Sequence, residues 1–431
     1  MTRRGAAALL LSLAPMVAAA RYGWLFWPSV AVTLGVVAMV VIDWRRAPSG
    51  TRLRATRECP EVLEQGRPNL VRLSVAVEKA RRAVHALVRD EHPADVPASV
   101  EVQPTLLPAQ LEYTLTPLAR GRRAFGHTVV RVEGPLRLAT RQSTAGAAQV
   151  VSIDPDLSAV RAWEALVRRG QLAEMGVRVL RRPGEGTEFE RVRDAVPDDP
   201  LRSINWKATA RTGRLMTTEL APEKAQPVIV CLDCGRLMGV AAGALTKLDH
   251  AITAALLLVH VALRSGDRAG LLAFADSVTV ALRPRAGRTQ MAAFVRAVRP
   301  LQPSAIEPDY DEAFAHLSRW QSRRALIAVF TDVIDPDQSQ ALITQCARLR
   351  RRHLPLVVTV RDPALDDVAR RRPGDAEQAY ARAVAASLLS DRADTLRLLR
   401  RSGVETIDAD ARSLSPRLLN RYLELKRSAR L

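Results

Sequence analysis

The chain has 431 residues, and 48% of them are hydrophobic. A chain of this length and composition can bury two or three domain cores, which excludes a wholly disordered protein. Its 64 Lys and Arg residues against 45 Asp and Glu residues give a formal net charge of +19, so we expect an anionic neighbour, either nucleic acid or an anionic membrane face.

Two uncharged apolar runs lie near the N-terminus, at residues 5–20 and 24–42. The second approaches the roughly 20 residues that a helix needs to cross a bilayer. Arginine pairs precede the first run and follow the second, so the positive-inside rule predicts a transmembrane hairpin at residues 1–46 with both ends in the cytoplasm. The expected location is the bacterial inner membrane, multi-pass, with cytoplasmic soluble domains and part of the positive charge facing an anionic lipid surface.

A second interpretation of the N-terminus stays open. The small residues before Arg21 resemble a cleavage site, so residues 1–20 could be a cleaved signal peptide, which would place the rest of the chain outside the cytoplasm. The arginines that follow residue 42 act as a strong cytoplasmic stop and favour the hairpin. The four cysteines show no disulfide framework, which suits a reducing compartment.

Residues 47–150 alternate apolar and polar positions in short runs, as in Asn69–Val77 and residues 111–118. Period-two patterning broken by Pro and Gly predicts antiparallel strands, and a small β-sandwich-like domain is the simplest architecture. The stretch 81–90 is ambiguous between strand and helix.

From residue 227 to the C-terminus, predicted strands alternate with amphipathic helices. The strands are predicted at 228–232, 269–274, 278–282, 325–331, 356–360 and 404–407, and the helices at 248–264, 289–298, 309–320, 338–351, 376–400 and 415–426. This alternation predicts an α/β domain at 227–431 with a mostly parallel sheet. Residues 151–226 form the segment that leads into it.

Two acids follow predicted strands of this domain. Asp233 comes after one strand and Asp332 after another. Because the carboxyl ends of parallel strands share one edge of a sheet, and ligands bind there, the two acids are candidate ligands of a cation such as Mg²⁺.

Ten residues at fixed spacing stand just before the α/β domain. They are Phe189, Arg193, Asp199, Arg202, Ile204, Asn205, Trp206, Lys207, Ala210 and Arg211. In this frame the chain resembles the domain of unknown function 58 family, and the likeness extends to the β-rich segment upstream.

The resemblance implies that residues 227–431 form a von Willebrand A-like (Rossmann-type) parallel sheet domain in a membrane-anchored protein without enzymatic activity. It also implies a MoxR-type AAA+ ATPase as partner, together with other membrane-associated von Willebrand A-like proteins. The chain departs from the family pattern at Asp194 and Ala195, where the family usually has Glu-Tyr, and at Asp198, where it has Gly.

The implied metal site departs further. The resemblance calls for D-x-S-x-S, but this chain has Gly235 and Leu237 in place of the two hydroxyl residues and Arg236 between them. Only Ser304 stands where a later threonine is expected. We therefore expect a degenerate site at Asp233 and Asp332 without bound cofactor, and the alternative is that Mg²⁺ binds and serves adhesion or ligand binding.

The ten-residue signature itself allows two interpretations. In the first it locks the fold, with its arginines paired to neighbouring acids and Trp206 filling a core. In the second, part of the signature is exposed and docks a partner through Trp206 and an arginine. The residues that would carry docking are Arg193, Asp199, Arg202, Asn205, Trp206 and Arg211.

The remaining function classes lack motifs. No nucleophile elbow, zinc-protease helix, P-loop or dinucleotide fingerprint is present, so we expect no enzyme and no catalytic residue. Aromatic residues make up only 4% of the chain, which argues against stacking on nucleic acid, although the charge keeps a basic nucleic-acid-binding membrane protein as an alternative. The preferred hypothesis is a membrane-anchored scaffold or adaptor that works with the AAA+ ATPase.

Overall fold

The structure is a computed structural model, and it describes residues 1–78, 83–169, 188–196, 199, 201–221, 226–334 and 339–428. The chain divides into two compact units, Met1–Asp154 and Pro155–Leu431. The first unit contains the N-terminal helices together with the β-rich region, which the sequence analysis treated as separate domains.

Two helices, α1 (Arg3–Ala19) and α2 (Phe26–Arg46), open the first unit and pack against each other. Thr33 of α2 donates a hydrogen bond of 3.1 Å to the backbone carbonyl of Ser12 in α1. Most of their large apolar side chains are exposed. Among the described residues, one helical stretch, Gly23–Arg52, is long and apolar enough to cross a membrane. The 17 residues of α1 are fewer than a crossing ordinarily needs, so one candidate span stands where the sequence analysis predicted two.

A single carboxylate fastens the end of α2 to the β-rich region. Asp43 is completely buried and accepts hydrogen bonds from the backbone N–H groups of Leu136, Leu138 and Ala139, at 2.7, 2.8 and 2.9 Å. The start of α1 meets the same loop, since the Thr2 N–H donates to the Leu138 carbonyl at 3.2 Å. Both helix ends are therefore held at one side of the first unit.

In residues 53–78 and 83–154, which the structure describes, the β-rich region has ten strands in three sheets, with one apolar core between them. The sheets have the orders β1-β3-β6, β2-β10-β7 and β5-β4-β8-β9, in which β10 and β2 run parallel and the other pairs antiparallel. The strands are β1 Leu53–Glu58, β2 Val62–Glu64, β3 Asn69–Val77, β4 Val84–Asp90, β5 Gln103–Leu107, β6 Ala109–Leu115, β7 Gly121–Phe125, β8 Thr128–Glu133, β9 Thr140–Ala145 and β10 Gln149–Asp154. The ambiguous stretch at 81–90 thus contains a strand, β4, and the mostly antiparallel pairing that the sequence predicts for this region is present.

The second unit is built on a six-stranded sheet of order β17-β16-β13-β18-β19-β20. All neighbours are parallel except β16 and β17. Its strands are β13 Pro227–Asp233, β16 Arg268–Phe274, β17 Val278–Arg285, β18 Leu326–Phe330, β19 Leu354–Arg361 and β20 Glu405–Asp410; short strands β14 Ala241–Ala242 and β15 Leu245–Thr246 form a separate pair.

Helices cover both faces of this sheet. Successive residues of β13 enter different cores, because Val228 and Val230 belong to one apolar cluster and Ile229 and Cys231 to the other. A strand buried on both faces is apolar throughout, as parallel strands usually are. The helices are α3 Ser158–Arg169, α4 Trp206–Thr212, α5 Lys247–Arg264, α6 Arg288–Val298, α7 Tyr310–Trp320, α8 Gln340–Leu349, α9 Pro363–Arg370, α10 Ala376–Arg401 and α11 Leu414–Arg427.

The six strands and six helices predicted for this domain all occur, with ends displaced by a few residues. Three helices, α3, α4 and α9, are additional. Two of them have only seven and eight residues, so they complete about two turns and show little periodicity. The third, α3, packs beside α5, where the rings of Trp163 and His260 meet edge-on with their centroids 5.5 Å apart.

Candidate functional site

The described part of residues 188–221, which we call the signature segment, forms a small hairpin. Strands β11 (Glu188–Asp194) and β12 (Met216–Ala221) pair antiparallel. The guanidinium of Arg193 donates to both carboxylate oxygens of Asp199, at 2.8 and 2.7 Å, and the Val196 N–H donates to the same carboxylate at 2.9 Å. These contacts, with the bidentate Arg193 hydrogen bond as the largest cause, hold the pKa of Asp199 below its usual range. They close the turn that follows β11.

Asn205 fixes the helix that follows. Its side-chain oxygen accepts from the Ala208 N–H at 3.0 Å and so caps the start of α4, while its amide nitrogen donates to Thr218 of β12 at 3.2 Å. Asparagine suits this position because its short side chain satisfies a backbone donor that the first turn of a helix leaves open. The helix ends at Gly213, which has a left-handed conformation with φ of 68°. The predicted residues Arg193, Asp199 and Asn205 therefore have structural roles.

Trp206 does not fill a core, so that part of the fold-locking interpretation is wrong. Its side chain is 66% exposed at the first position of α4. Val196, Leu201 and Leu215 of the same segment are also exposed. The Leu215 carbonyl accepts from the Ala195 N–H at 2.8 Å, which brings the chain before Asp199 next to the chain before β12.

Several basic residues of the same segment are exposed as well. Lys207, Arg211 and Arg214 are all exposed on or just after α4. The side chain of Arg202 lies outside the described residues. An exposed tryptophan with apolar neighbours and a basic border is a composition typical of recognition surfaces.

Asp233 lies at the carboxyl end of β13 and is 2% exposed. Thr331 donates to its carboxylate at 2.6 Å, Tyr310 at 3.1 Å and the Gly235 N–H at 2.7 Å. Burial nevertheless dominates and raises the pKa of Asp233 to about 6, while the three donors lower it and the nearby charge of Asp332 raises it further.

Asp332, just beyond the end of β18, is 6% exposed and contacts two cationic side chains. The Lys247 ammonium lies 2.5 Å from one oxygen, and the Arg392 guanidinium contacts the other. Arg392 also binds Asp408 at 2.8 Å, and Thr359 donates to the same Asp408 oxygen at 2.8 Å. Lysine, aspartate, arginine and aspartate thus form a buried chain of alternating charge.

Asp233 and Asp332, which we call the strand-end pair, are poorly suited to bind a divalent cation because their carboxylates already have partners within the protein. Two positive side chains hold one candidate ligand, and neutral donors occupy the other. The only further hydroxyl predicted, that of Ser304, lies 3.4 Å from the Ile306 N–H, and Arg236 is turned toward Glu307 at 2.8 Å. Within the described ranges, no group of three or more His, Cys, Asp or Glu residues could hold a metal ion.

Sequence reasoning placed both acids at strand ends but missed their partners. Lys247 is 85 residues and Arg392 60 residues away from Asp332 along the chain. Arg392 lies on α10 among several other arginines, so no local signal distinguishes it. Lys247 did have a local signal, because a lysine at the first position of a mostly apolar helix needs an acidic partner when that helix is buried.

The sequence profile of the family described as "Protein of unknown function DUF58" matches residues 191–401, from within β11 to the end of α10. The predicted family resemblance is confirmed over these residues. The uncharacterized proteins Rv1480 of Mycobacterium tuberculosis and Mb1516 of Mycobacterium bovis are each 26% identical over 183 residues, covering 42% of this chain and 57% of theirs. The chain therefore matches little more than half the length of these curated relatives.

Two solved structures align with parts of this chain. An uncharacterized membrane spanning protein from Vibrio fischeri aligns with 47% of this chain and 98% of its own, at 12% identity and a TM-score of 0.17. A cohesin module from a Clostridium perfringens family 33 glycoside hydrolase aligns with 23% of this chain and 96% of its own, at 10% identity and a TM-score of 0.19.

Proposed function

We propose that this protein is a membrane-anchored, non-enzymatic adaptor that binds a MoxR-type AAA+ ATPase through the exposed face of its signature segment. The observation that carries the proposal is the exposure of Trp206 on a segment whose other signature residues hold it in place. Tryptophan and arginine are the side chains most enriched at the energetic centres of protein interfaces. The identity of the partner rests on the family resemblance, which the profile match over residues 191–401 supports.

The first unit supports the anchoring role. The stretch Gly23–Arg52 is the candidate span, and its apolar side chains face outward, where lipid would cover them. The Asp43 contacts then fasten the inner end of the span to the β-rich region. We propose an inner-membrane location with the α/β unit in the cytoplasm, and we keep the two-helix hairpin as the finer proposal because α1 packs against α2.

The second unit supports a binding role without chemistry. Its strand order, with one antiparallel edge strand on a parallel sheet, is compatible with the von Willebrand A-like fold that we propose for it. Both acids at the ligand-binding edge are engaged by side chains of the protein itself. We accordingly propose that partner binding requires no divalent cation.

The test is affinity capture of the full-length protein from its native membrane in the presence of ATP and Mg²⁺. Wild-type protein should retain the AAA+ ATPase, and Trp206→Ala should lose most of it while unfolding at nearly the same temperature, because an exposed side chain contributes little to stability. Tyr380→Ala is the matched control, since Tyr380 is an exposed aromatic residue on α10. Reproducible absence of an AAA+ ATPase, or equal retention by Trp206→Ala, would reject the proposed function.

A further inference from the structure

A cavity of about 310 Å³ in the α/β unit is lined by three arginines. They are Arg268, Arg283 and Arg323, and the other described lining residues are Pro227, Pro284, Trp320, Gln321 and Ser322. Each arginine comes from a different part of the chain, namely the start of β16, the later half of β17 and the loop between α7 and β18.

The cavity lies at the edge of the sheet opposite to the strand-end pair. Pro227 and Arg268 are the first residues of the parallel strands β13 and β16, whereas Asp233 is the last residue of β13. The two features are therefore separated by the length of a strand, and a ligand in this cavity does not contact Asp233 or Asp332. The inference below is independent of the proposed adaptor function.

Buried glutamines hold the backbone around the cavity. Gln290 donates to the carbonyls of Ala269 and Arg283, at 2.7 and 3.1 Å, and so ties the neighbouring strands that carry two of the arginines. Gln321 donates to the carbonyl of Arg323 at 2.8 Å and fixes the loop that carries the third. The three guanidinium groups therefore extend from backbone positions that are fixed before any ligand arrives.

The described residues of the cavity supply no compensating negative charge. None of its described lining residues is acidic, and none of the three arginines forms an ion pair within the described part of the chain. The chain does pair arginines elsewhere, for example Arg193 with Asp199 and Arg421 with Glu405. In addition, the indole Nε1–H of Trp320 is buried and has no acceptor among the described residues. The described side chains that line the cavity thus offer more hydrogen-bond donors than acceptors.

We propose that this arginine cavity binds a phosphate group. Arg268, Arg283 and Arg323 are solvent-exposed and line the same cavity, and an anion among them would offset their like charges and form charge-assisted hydrogen bonds. Phosphate fits better than a carboxylate because it offers more oxygens and carries more charge, and the planar fork of arginine matches two phosphate oxygens at once. A phospholipid headgroup and a soluble phosphate compound share this chemistry, so the experiment distinguishes the two sources.

The experiment uses the full chain purified in detergent and measures binding by isothermal titration calorimetry. One arm titrates inorganic pyrophosphate, and the other titrates a water-soluble short-chain phosphatidylglycerol. We expect saturable binding of at least one of the two probes. Tighter binding of pyrophosphate identifies a soluble phosphate ligand, and tighter binding of the lipid identifies a headgroup. Binding of neither probe overturns the proposal.

Three single variants, Arg268→Gln, Arg283→Gln and Arg323→Gln, locate the site. Each removes one charge-assisted contact and should weaken the binding of the retained probe about tenfold or more. Arg264→Gln is the matched control because it removes the same charge from an exposed position on α5 that does not line the cavity. An equal loss in the control, or no loss in any cavity variant, attributes binding to the general positive charge and overturns the proposal. Thermal unfolding of every variant verifies that it is folded.

Discussion

The signature segment and the strand-end pair are both rich in polar residues, but they differ in how far their side chains are exposed to solvent. In the signature segment the charged residues brace a turn and Trp206 is left exposed, whereas at the strand ends every identified acid is buried among donors. The difference arises from what surrounds each region. A two-stranded hairpin has little volume in which to bury an indole, while the end of a central parallel strand is covered on both faces by helices.

The difference in exposure distinguishes two candidate functions, metal binding at the strand-end pair and partner binding at the signature segment. A buried carboxylate that already contacts an ammonium and a guanidinium gains little from a metal ion, because the cation would have to displace charges that the fold supplies. An exposed tryptophan gains contacts only when a partner covers it. Under the proposed function, the signature segment binds the partner, and the strand-end pair contributes to the stability of the sheet edge.

The largest expected effect is at the buried chain of charges. Arg392→Ala leaves Asp332 and Asp408 without their shared cation, and Lys247→Ala leaves Asp332 with one partner instead of two. Removing one partner of a buried ion pair costs about 3–5 kcal/mol, so both variants should lower the opening free energy of β13 and β18 in hydrogen exchange, Arg392→Ala more than Lys247→Ala. Arg236→Ala is the control, since the exposed Arg236–Glu307 pair should contribute less than about 1 kcal/mol. Equal, small effects in all three variants would contradict the structural role of this network.

The free energy of unfolding should depend on pH through the carboxyl group of Asp233. Between the usual pKa of Asp, about 4, and the folded value of about 6, the folded protein keeps a proton that the unfolded chain has lost. The free energy of unfolding should therefore fall as the pH rises through this interval, by at most about 3 kcal/mol, and stay lower above it. Asp233→Asn should remove this component. Unfolding of both proteins across pH 4 to 7 measures it, and parallel curves would show that Asp233 titrates normally.

Asp43→Ala should loosen the junction between α2 and the β-rich region. Three backbone N–H groups lose their acceptor. Leu136 is exposed and Leu138 half-buried, so water can replace Asp43 there, and we expect the cost of one unsatisfied buried donor, about 1–3 kcal/mol. We expect faster hydrogen exchange and new protease cleavage at residues 134–139. Asp43→Asn keeps one acceptor oxygen and should lie between wild type and Asp43→Ala. Unchanged exchange in this loop would show that the Asp43 contacts do not fasten the helix.

The smallest effect should come from Arg193→Ala, which frees Asp199 from its bidentate partner. The expected change is local: amides of β11 and β12 exchange faster, while β13 to β20 keep their protection. Because the pKa of Asp199 is lowered in the folded protein, its contribution is present above the usual pKa of Asp and disappears as the pH falls below it. The exchange difference between wild type and Arg193→Ala should accordingly shrink in acid, and a constant difference would assign the effect to lost packing.

Periodicity was sufficient for the larger elements because long apolar stripes are unambiguous. The helix from Lys247 to Arg264 and the strand from Pro227 to Asp233 were predicted within a residue or two at each end. The short helices that begin at Trp206 and Pro363 were missed, because seven or eight residues depend on caps such as Asn205 and Asp362 more than on a stripe.

The positions of the two acids in the fold could be predicted from the sequence, but their burial, pKa and ion-pair partners could not. Placing Asp233 and Asp332 after strands follows from local pattern alone. Their burial, the raised pKa of Asp233 and the cations on Asp332 depend on residues brought together from helices far away in the chain. Nor could the pattern decide whether Trp206 is inside or outside, since one tryptophan at the start of a short helix has no periodic context.

The apolar N-terminal segment, the β-rich first half, the α/β second half and the family signature could all be predicted from local sequence, because each depends on neighbours within a few residues. The pairing of Lys247 and Arg392 with Asp332, the Asp43 contacts, the exposure of Trp206 and the shared cavity of three arginines emerge only in the folded chain. Charge pairing and burial depend on distances through space, and these groups come together only when the sheet and its helices are assembled.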